Sequence, residues 1–252
     1  MSCDVHYELS GAAGAPVVVL SCSLGTDMSM WDPQLPALER SFRVLRYDLR
    51  GHGSSPAPPG PYSIADLGGD VIALLDRVGV ERAHLCGVSI GGMTGIWLAA
   101  HAPARIDRVV LCCTSAFLDP EGTYRDRAAL VRESGLEQLA DAALERWFTP
   151  PFRAANPALM DHMRGCLVSA RAEGYAGCCE ALAAMDLRGA LSVIAAPALV
   201  ISGEHDPATP AAHGRLIADG IRGARFELVG GAHLASIEQA ERVNELILSH
   251  LI

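Results

Sequence analysis

Short apolar runs alternate along this chain with longer stretches in which apolar residues recur at helical spacing. The short runs are bounded by Gly, Pro or polar clusters, as strands are. They predict strands over residues 17–22, 43–48, 83–88, 108–113, 198–202 and 225–229, with an earlier one near 5–9. This alternation is typical of an α/β fold, in which a mostly parallel central sheet carries helices on both faces.

Two helices have clear boundaries in the sequence. Ser63 can cap the first, whose apolar residues from Leu67 to Val78 repeat at helical spacing before Gly79 ends it. The last helix is predicted from about Ser236 to the end of the chain.

The alternation stops between residues 118 and 186, where three or four helix-like stretches follow one another without a strand signal, among them 127–133 and 135–147. We therefore predict an inserted helical cap over 118–186 on a core formed by residues 1–117 and 187–252. Most of the arginines in the cap should be solvated partners of nearby acids, and one or two should face the substrate. These arginines are Arg125, Arg127, Arg132, Arg146, Arg153, Arg164 and Arg171.

Composition narrows the functional classes. The 252 residues suit one α/β domain with a large core. A net charge of -9 argues against nucleic acid or an anionic membrane surface as the main partner, because both need basic patches. All 20 basic residues are arginine, so chemistry that needs a lysine is excluded. A small-molecule role is favoured.

The eight cysteines indicate neither a disulfide framework nor a zinc site, because no CxxC occurs and four of the eight form the adjacent pairs Cys112-Cys113 and Cys178-Cys179. We expect free buried thiols. The histidines outside the candidate catalytic set show no metal-ligand spacing, so no metal site is predicted. The N-terminus lacks a basic region followed by a long apolar run, and a cytoplasmic protein is predicted.

The segment Gly87-Val88-Ser89-Ile90-Gly91 lies between a predicted strand and a helix-like stretch and has the pattern of a nucleophile elbow. Glycines two residues either side of Ser89 leave no Cβ to collide with the crowded backbone of so sharp a turn. The pattern alone is weak, because ordinary Gly and Ser frequencies would produce it by chance in about one such chain in ten.

The rest of the chain supplies the partners in the order that such hydrolases use, which is Ser, then Asp or Glu, then His. Asp206 follows the strand 198–202, and His233 follows the strand 225–229. Ser89, Asp206 and His233 are therefore the predicted nucleophile, orienting acid and base. Each has an alternative: a small residue in a tight turn, a helix N-cap and a loop histidine, respectively.

Three further residues are weaker candidates. Glu204 and His205 could compete for the acid and base roles, but they precede Asp206 by two residues and one residue, where side chains point elsewhere. His52, in a Gly-rich turn after a strand, is interpreted as structural.

An oxyanion hole needs two backbone donors. One should be the N–H of Ile90, directly after the nucleophile and at the start of its helix. The other should come from the loop after strand 17–22, where Leu24 is the best candidate and the assignment could slip by one residue.

Taken together, these residues resemble the α/β-hydrolase superfamily over the whole chain. Within it, the segment 23–34 (SLGTDMSMWDPQ) resembles the oxyanion loop of the 3-oxoadipate enol-lactonases, and the cap segment 171–179 (RAEGYAGCC) is similar as well. Many superfamily members carry a His-Gly pair where this chain has Cys22-Ser23. These two segments are therefore more specific than the elbow.

The resemblance implies a serine hydrolase of aromatic-compound catabolism, in the β-ketoadipate pathway. Its substrate would be an anionic small molecule, a five-membered enol-lactone with an acetate arm, and its product 3-oxoadipate, with no metal or organic cofactor. Trp147 is the candidate aromatic wall and Arg171 the candidate partner of the acetate arm. The alternatives are that Trp147 packs between cap helices and that Arg171 pairs with Glu173 on the surface.

Other functions share the same triad, because a fold does not fix a substrate. A carboxylesterase, a C–C bond hydrolase, a cofactor-free perhydrolase and, in another class, a ligand receptor with a degenerate hydrolase pocket stay open. Epoxide hydrolases and haloalkane dehalogenases are disfavoured because they place a carboxylate where Ser89 stands. The oligomeric state is left open by the sequence.

Overall fold

A computed structural model describes residues 2–118 and 123–252. Met1, in the predicted core, and residues 119–122, in the predicted cap, lie outside the described residues.

One sheet organises the described chain. Its strands are β1 (Tyr7–Ser10), β2 (Val17–Ser21), β3 (Arg43–Tyr47), β4 (Ala83–Val88), β5 (Ile106–Cys112), β6 (Ala198–Gly203) and β7 (Arg225–Val229). They lie in the order β1-β3-β2-β4-β5-β6-β7. β1 pairs antiparallel with β3, and each of the other neighbouring pairs is parallel. The predicted mostly parallel sheet is confirmed.

The helices fill the connections between strands. They are α1 (Leu35–Leu38), α2 (Ile64–Arg77), α3 (Ile90–His101), α4 (Thr123–Ser134), α5 (Ala140–Trp147), α6 (Pro150–Ala155), α7 (Pro157–Ser169), α8 (Ala172–Ala184), α9 (Ala211–Gly220), α10 (Ala235–Glu238) and α11 (Ala240–Leu251). Short 3₁₀ helices span Met28–Gln34, Pro103–Arg105, Glu137–Leu139 and Arg188–Val193. In the described part of the chain, no helix is both long and apolar enough to cross a membrane.

The core lies between the sheet and two groups of helices. α2 packs on α3, which covers β4 and β5, while α11 contacts α1, β5 and β6. Every residue of β4 and β6 is buried, as expected of strands covered on both faces. α2 begins with a capping box: the Ser63 hydroxyl accepts from the Asp66 N–H, and the Asp66 carboxylate accepts from the Ser63 N–H.

The predicted continuous final helix is wrong. The structure has α10 and α11 instead, separated at Gln239, whose backbone (φ −123°, ψ 41°) lies outside the helical region. The Gln239 N–H closes α10 by donating to the Ala235 carbonyl over 2.8 Å. Helical spacing of apolar residues continues across such a break, so the periodicity did not reveal it.

The ends of the predicted cap meet at one place. Phe117 and Asp186 form an isolated antiparallel bridge, and the Leu187 N–H donates to the Ala116 carbonyl over 2.7 Å. α4 to α8 lie between these points in the chain, with α4 packed on α8 and α5 on α7. We propose the division into a core and a helical cap on this basis.

Candidate active site

Ser89 occupies a strained turn between β4 and α3. Its backbone has φ 57° and ψ −121°, which a non-glycine residue rarely adopts. Two hydrogen bonds hold the turn: the Ser89 N–H donates to the Cys112 carbonyl (3.0 Å), and the Thr114 hydroxyl donates to the Ser89 carbonyl (2.6 Å). A Cβ on Gly87 would collide with the Gly91 backbone, so the turn requires that glycine.

Asp206 binds both its own loop and His233. Its Oδ1 accepts from the N–H groups of Ala208 (2.8 Å) and Thr209 (3.0 Å), and its Oδ2 lies 2.8 Å from Nδ1 of His233. The carboxylate is fully buried, which by itself raises its pKa, but His233 and the Thr209 hydrogen bonds outweigh burial and lower the pKa. This geometry is thus compatible both with Asp206 as a helix N-cap and with its predicted role as the orienting acid.

The loop that carries His233 is tied to the cap helix α5. The His233 N–H donates to the Arg146 carbonyl (3.4 Å), and the Leu234 N–H donates to the Trp147 carbonyl (2.9 Å). Glu238 adds a second link, because one carboxylate oxygen accepts from the N–H groups of both Ala232 and Thr149 at 3.2 Å. The Thr149 hydroxyl donates to the other oxygen. Hydrogen bonds therefore join the loop of His233 to α5 and to Thr149.

The two predicted oxyanion donors belong to two different segments, the start of α3 and the loop after β2. Ile90 is the first residue of α3, and the Met93 N–H donates to the Ser89 carbonyl (3.0 Å). The Ile90 N–H therefore lies before the first hydrogen bond of the helix and has no acceptor within it. Leu24 is buried on the loop after β2. Gly25, with φ +84°, follows it and packs so closely against Leu167 that a Cβ there would clash.

Ser89 and His233 open into one cavity of about 390 Å³. Further lining residues from the core are Ser23, Leu24, Pro207, Ala208, Pro210 and His213. Those from the region of the predicted cap are Leu118, Thr123, Tyr124, Arg127, Ala143, Arg146, Trp147, Tyr175 and Leu182. Core strand ends thus form one wall of the cavity and helices α4, α5 and α8 form the other.

Arg127 and Arg146 give the cap wall its charge. Arg127 lies over the ring of Tyr124 at 4.9 Å, and both guanidiniums are half-buried. Burial, together with the neighbouring Arg127, lowers the pKa of Arg146, although an arginine stays protonated at neutral pH. Among the described residues, no carboxylate forms an ion pair with either arginine. Two like charges facing one cavity favour an anionic occupant.

The structure brings Trp147 to the cavity but not Arg171. Trp147 is buried and lines the wall, whereas Arg171 is exposed at the start of α8, where its N–H donates to the Gly51 carbonyl over 2.9 Å. Arg171 is not among the residues that line the cavity, which argues against the predicted contact with the acetate arm. Glu173 pairs with Arg132 at 2.8 Å, which also removes the proposed surface partner.

The weaker candidates lie elsewhere. Glu204 and His205 are exposed, and neither takes part in the contact between Asp206 and His233. His52 is fully buried, with Nδ1 3.1 Å from the Arg50 carbonyl, consistent with its structural interpretation.

Sequence reasoning missed the particular arginines of the cavity, Arg127 and Arg146. They belong to the same set of seven as Arg132 and Arg164, which pair with acids on the surface. No local pattern separates the two kinds, because the difference lies in which helix face turns toward the core.

Comparisons with known proteins identify the family of this chain. Residues 15–240 match the family described as the alpha/beta hydrolase fold. The chain is 42% identical over 243 residues to 3-oxoadipate enol-lactonase 2 of Acinetobacter baylyi, covering 96% of this chain and 91% of that protein. It is 37% identical to enol-lactonase 1 of the same organism, with 94% and 89% covered. The crystal structure of the enol-lactonase from Burkholderia xenovorans superposes with a TM-score of 0.96 at 46% identity, with 98% and 96% covered.

Proposed function

Given that this chain belongs to the α/β-hydrolase family, we propose that it hydrolyses 3-oxoadipate enol-lactone to 3-oxoadipate, with Ser89, His233 and Asp206 as catalytic residues. The observation that supports this proposal most strongly is the two-sided cavity, which has Ser89 and His233 on one wall and two arginines on the other. Its relatives named enol-lactonases support the same substrate. We also propose that the enzyme acts in the cytoplasm, in aromatic-compound catabolism, without a cofactor.

In the first half of the reaction, Ser89 Oγ attacks the lactone carbonyl carbon while His233 takes its proton. Asp206, 2.8 Å from Nδ1 of His233, stabilises the resulting imidazolium. The N–H groups of Leu24 and Ile90 hold the oxyanion of the tetrahedral intermediate. Collapse breaks the ring C–O bond, and the leaving enolate oxygen receives the proton from His233.

In the second half, the opened substrate remains joined to Ser89 through an ester at its acyl end. Its enol group tautomerises to the ketone. His233 accepts a proton from water, whose oxygen attacks the ester carbonyl through the same oxyanion site. The Ser89–carbonyl bond breaks, and Ser89 recovers its proton from His233. The product is 3-oxoadipate, and the tautomerisation makes the sequence effectively irreversible.

The cap wall explains how an enzyme with a net charge of -9 can take an anionic substrate. Arg127 and Arg146 replace Arg171 in our assignment, because a guanidinium pairs with a carboxylate through charge-assisted hydrogen bonds. The acetate arm would lie between them while the lactone ring packs on Trp147. This orientation leaves the lactone carbonyl toward Ser89 and His233.

The direct test compares initial rates on 3-oxoadipate enol-lactone with those on an uncharged aryl acetate. We expect kcat/KM to be higher for the lactone by at least about 10-fold, since a charge-assisted pair contributes about 1.5–3 kcal/mol beyond the shared ester chemistry. A higher value for the aryl acetate would indicate a carboxylesterase. Stoichiometric labelling by a phosphonate without turnover of either substrate would indicate a degenerate binding protein.

A further inference from the structure

Outside the active-site cavity, three side chains with strong metal-ligand character lie together. They are Asp27, on the loop that carries Leu24, and His162 and Cys166, on α7. One ligand atom from each lies within 4.8 Å of the other two. His162 and Cys166 are four residues apart and therefore share a face of the helix, a spacing that the sequence analysis overlooked.

The distances suit a tetrahedral site for a soft divalent cation. Zinc binds thiolate sulfur at about 2.3 Å and imidazole nitrogen at about 2.0–2.1 Å, so these donors stand about 3.5 Å apart around it. Cys166 Sγ and His162 Nε2 are 3.6 Å apart. The combination of thiolate, imidazole and carboxylate selects zinc over magnesium or calcium, which prefer oxygen ligands alone.

Hydrogen bonds already hold these side chains together. The Ser29 hydroxyl donates to Asp27 Oδ1 and lies 2.8 Å from His162 Nε2 and 4.0 Å from Cys166 Sγ. Burial and the neighbouring Asp27 raise the pKa of the Cys166 thiol to about 12, so a metal would have to displace its proton. Among the described residues no arginine forms an ion pair with Asp27, which leaves that carboxylate's charge available.

We propose that Asp27, His162 and Cys166 bind a zinc-like divalent cation, with water as the fourth ligand. The site connects the predicted cap to the core, because α7 and the loop after β2 are its two sides. Leu167, next to Cys166, already packs against Gly25 of that loop. Bound metal would therefore fasten α7 to the loop that carries the Leu24 N–H. This inference does not depend on the substrate proposed above.

Cobalt(II) tests the ligand set, because a cobalt–thiolate bond gives a charge-transfer absorption in the near ultraviolet that histidine and carboxylate ligands do not give. We expect this band on titration of the metal-free protein. We also expect zinc at about 100 times its Kd to raise Tm by roughly 5–10 °C for a protein of this size. Cys166→Ser should abolish the band, and His162→Asn should weaken zinc binding at least tenfold, since losing even an outer partner costs about that much.

The matched control is His101→Asn, which also removes an exposed helical histidine, in this case the last residue of α3. It should keep the wild-type band, Kd and zinc-induced shift in Tm. His162 is exposed, so loss of its contact with the Ser29 hydroxyl should lower the metal-free Tm by no more than about 2–4 °C, and a loss of binding in the folded variant can be assigned to the ligand. No band in the wild type, a band that persists in Cys166→Ser, or equal zinc affinity in both histidine variants would overturn the proposal.

Discussion

The two walls of the cavity come from different kinds of structure. Ser89 and His233 lie on the core wall and Asp206 contacts His233 behind it, and the three residues follow strands β4, β7 and β6 respectively. On the cap wall, Arg127 lies on α4, Arg146 and Trp147 on α5. The carboxyl ends of parallel strands converge at one edge of the sheet whatever the helices do. The side chains of the cap wall converge through helix packing alone.

This difference between the two walls matches a division between the chemical reaction and the recognition of the substrate. The core wall carries groups suited to bond making, in positions that the sheet fixes. The cap wall carries charge and an aromatic face, which suit recognition. Yet the walls are joined, because the backbone carbonyls of Arg146 and Trp147 accept the N–H groups of His233 and Leu234. The variants below test whether catalysis and recognition separate along this line.

Ser89→Ala should have the largest effect. Without the nucleophile, kcat should fall by up to about a millionfold on every substrate, and Asp206→Ala should lose less, about 10⁴-fold. Stopped-flow assays with circular dichroism to confirm folding would measure this. Double variants should lose little more than Ser89→Ala, because residues that act as one unit are not additive. A near wild-type rate in Ser89→Ala would refute the assignment of the nucleophile.

Arg127→Gln and Arg146→Gln should each lower kcat/KM for the enol-lactone by about 10–100-fold, since each removes a charge-assisted hydrogen bond. Their rates on a neutral aryl acetate should change by less than about threefold if the walls are separable. Steady-state kinetics on both substrates decide the question.

Arg171→Gln is the matched control for the arginine variants, because it removes the same charge from an exposed position outside the cavity. It should leave both substrates unaffected. Equal losses on charged and neutral substrates in the cavity variants would instead indicate damage to packing. A loss confined to the enol-lactone in Arg171→Gln would restore the original assignment.

Glu238→Ala tests the link between the walls. It leaves the N–H groups of Ala232 and Thr149 without their acceptor, so the loop of His233 should loosen and kcat should fall about tenfold on both substrates. Glu238→Gln keeps an acceptor oxygen and should recover part of the rate. Glu241→Ala, an exposed change on α11, is the control. Unaltered kcat in Glu238→Ala would mean that the cap does not position the histidine.

Ser63→Ala should have the smallest effect on catalysis. It removes the capping box of α2, whose residues do not line the cavity, and should lower the free energy of unfolding by about 1 kcal/mol. For a protein of this size the shift in Tm is roughly 2–4 °C. Thermal unfolding measures it, and kcat should stay at the wild-type value. A change in kcat would show that the core scaffold and the site are not independent.

The fold and the family were accessible from the sequence because they depend on local signals. Buried strands such as β4 appear as continuous apolar runs, and the elbow around Ser89 needs glycines in fixed places. The predicted fold and the resemblance to enol-lactonases are confirmed by the family match and the relatives. The triad and the oxyanion donors stay predictions, supported by the Asp206–His233 contact and the shared cavity.

The sequence by itself indicated the strands of the sheet, the strained turn and the order of the candidate triad, since each strand, the turn and each candidate residue is marked by a short local pattern. Tertiary structure alone decided that Arg127 and Arg146, not Arg171, line the cavity. It also brought Asp27 to His162 and Cys166 across more than a hundred residues. Which face a cap helix turns inward is set by the packing of several helices at once, and that information is spread over the whole chain.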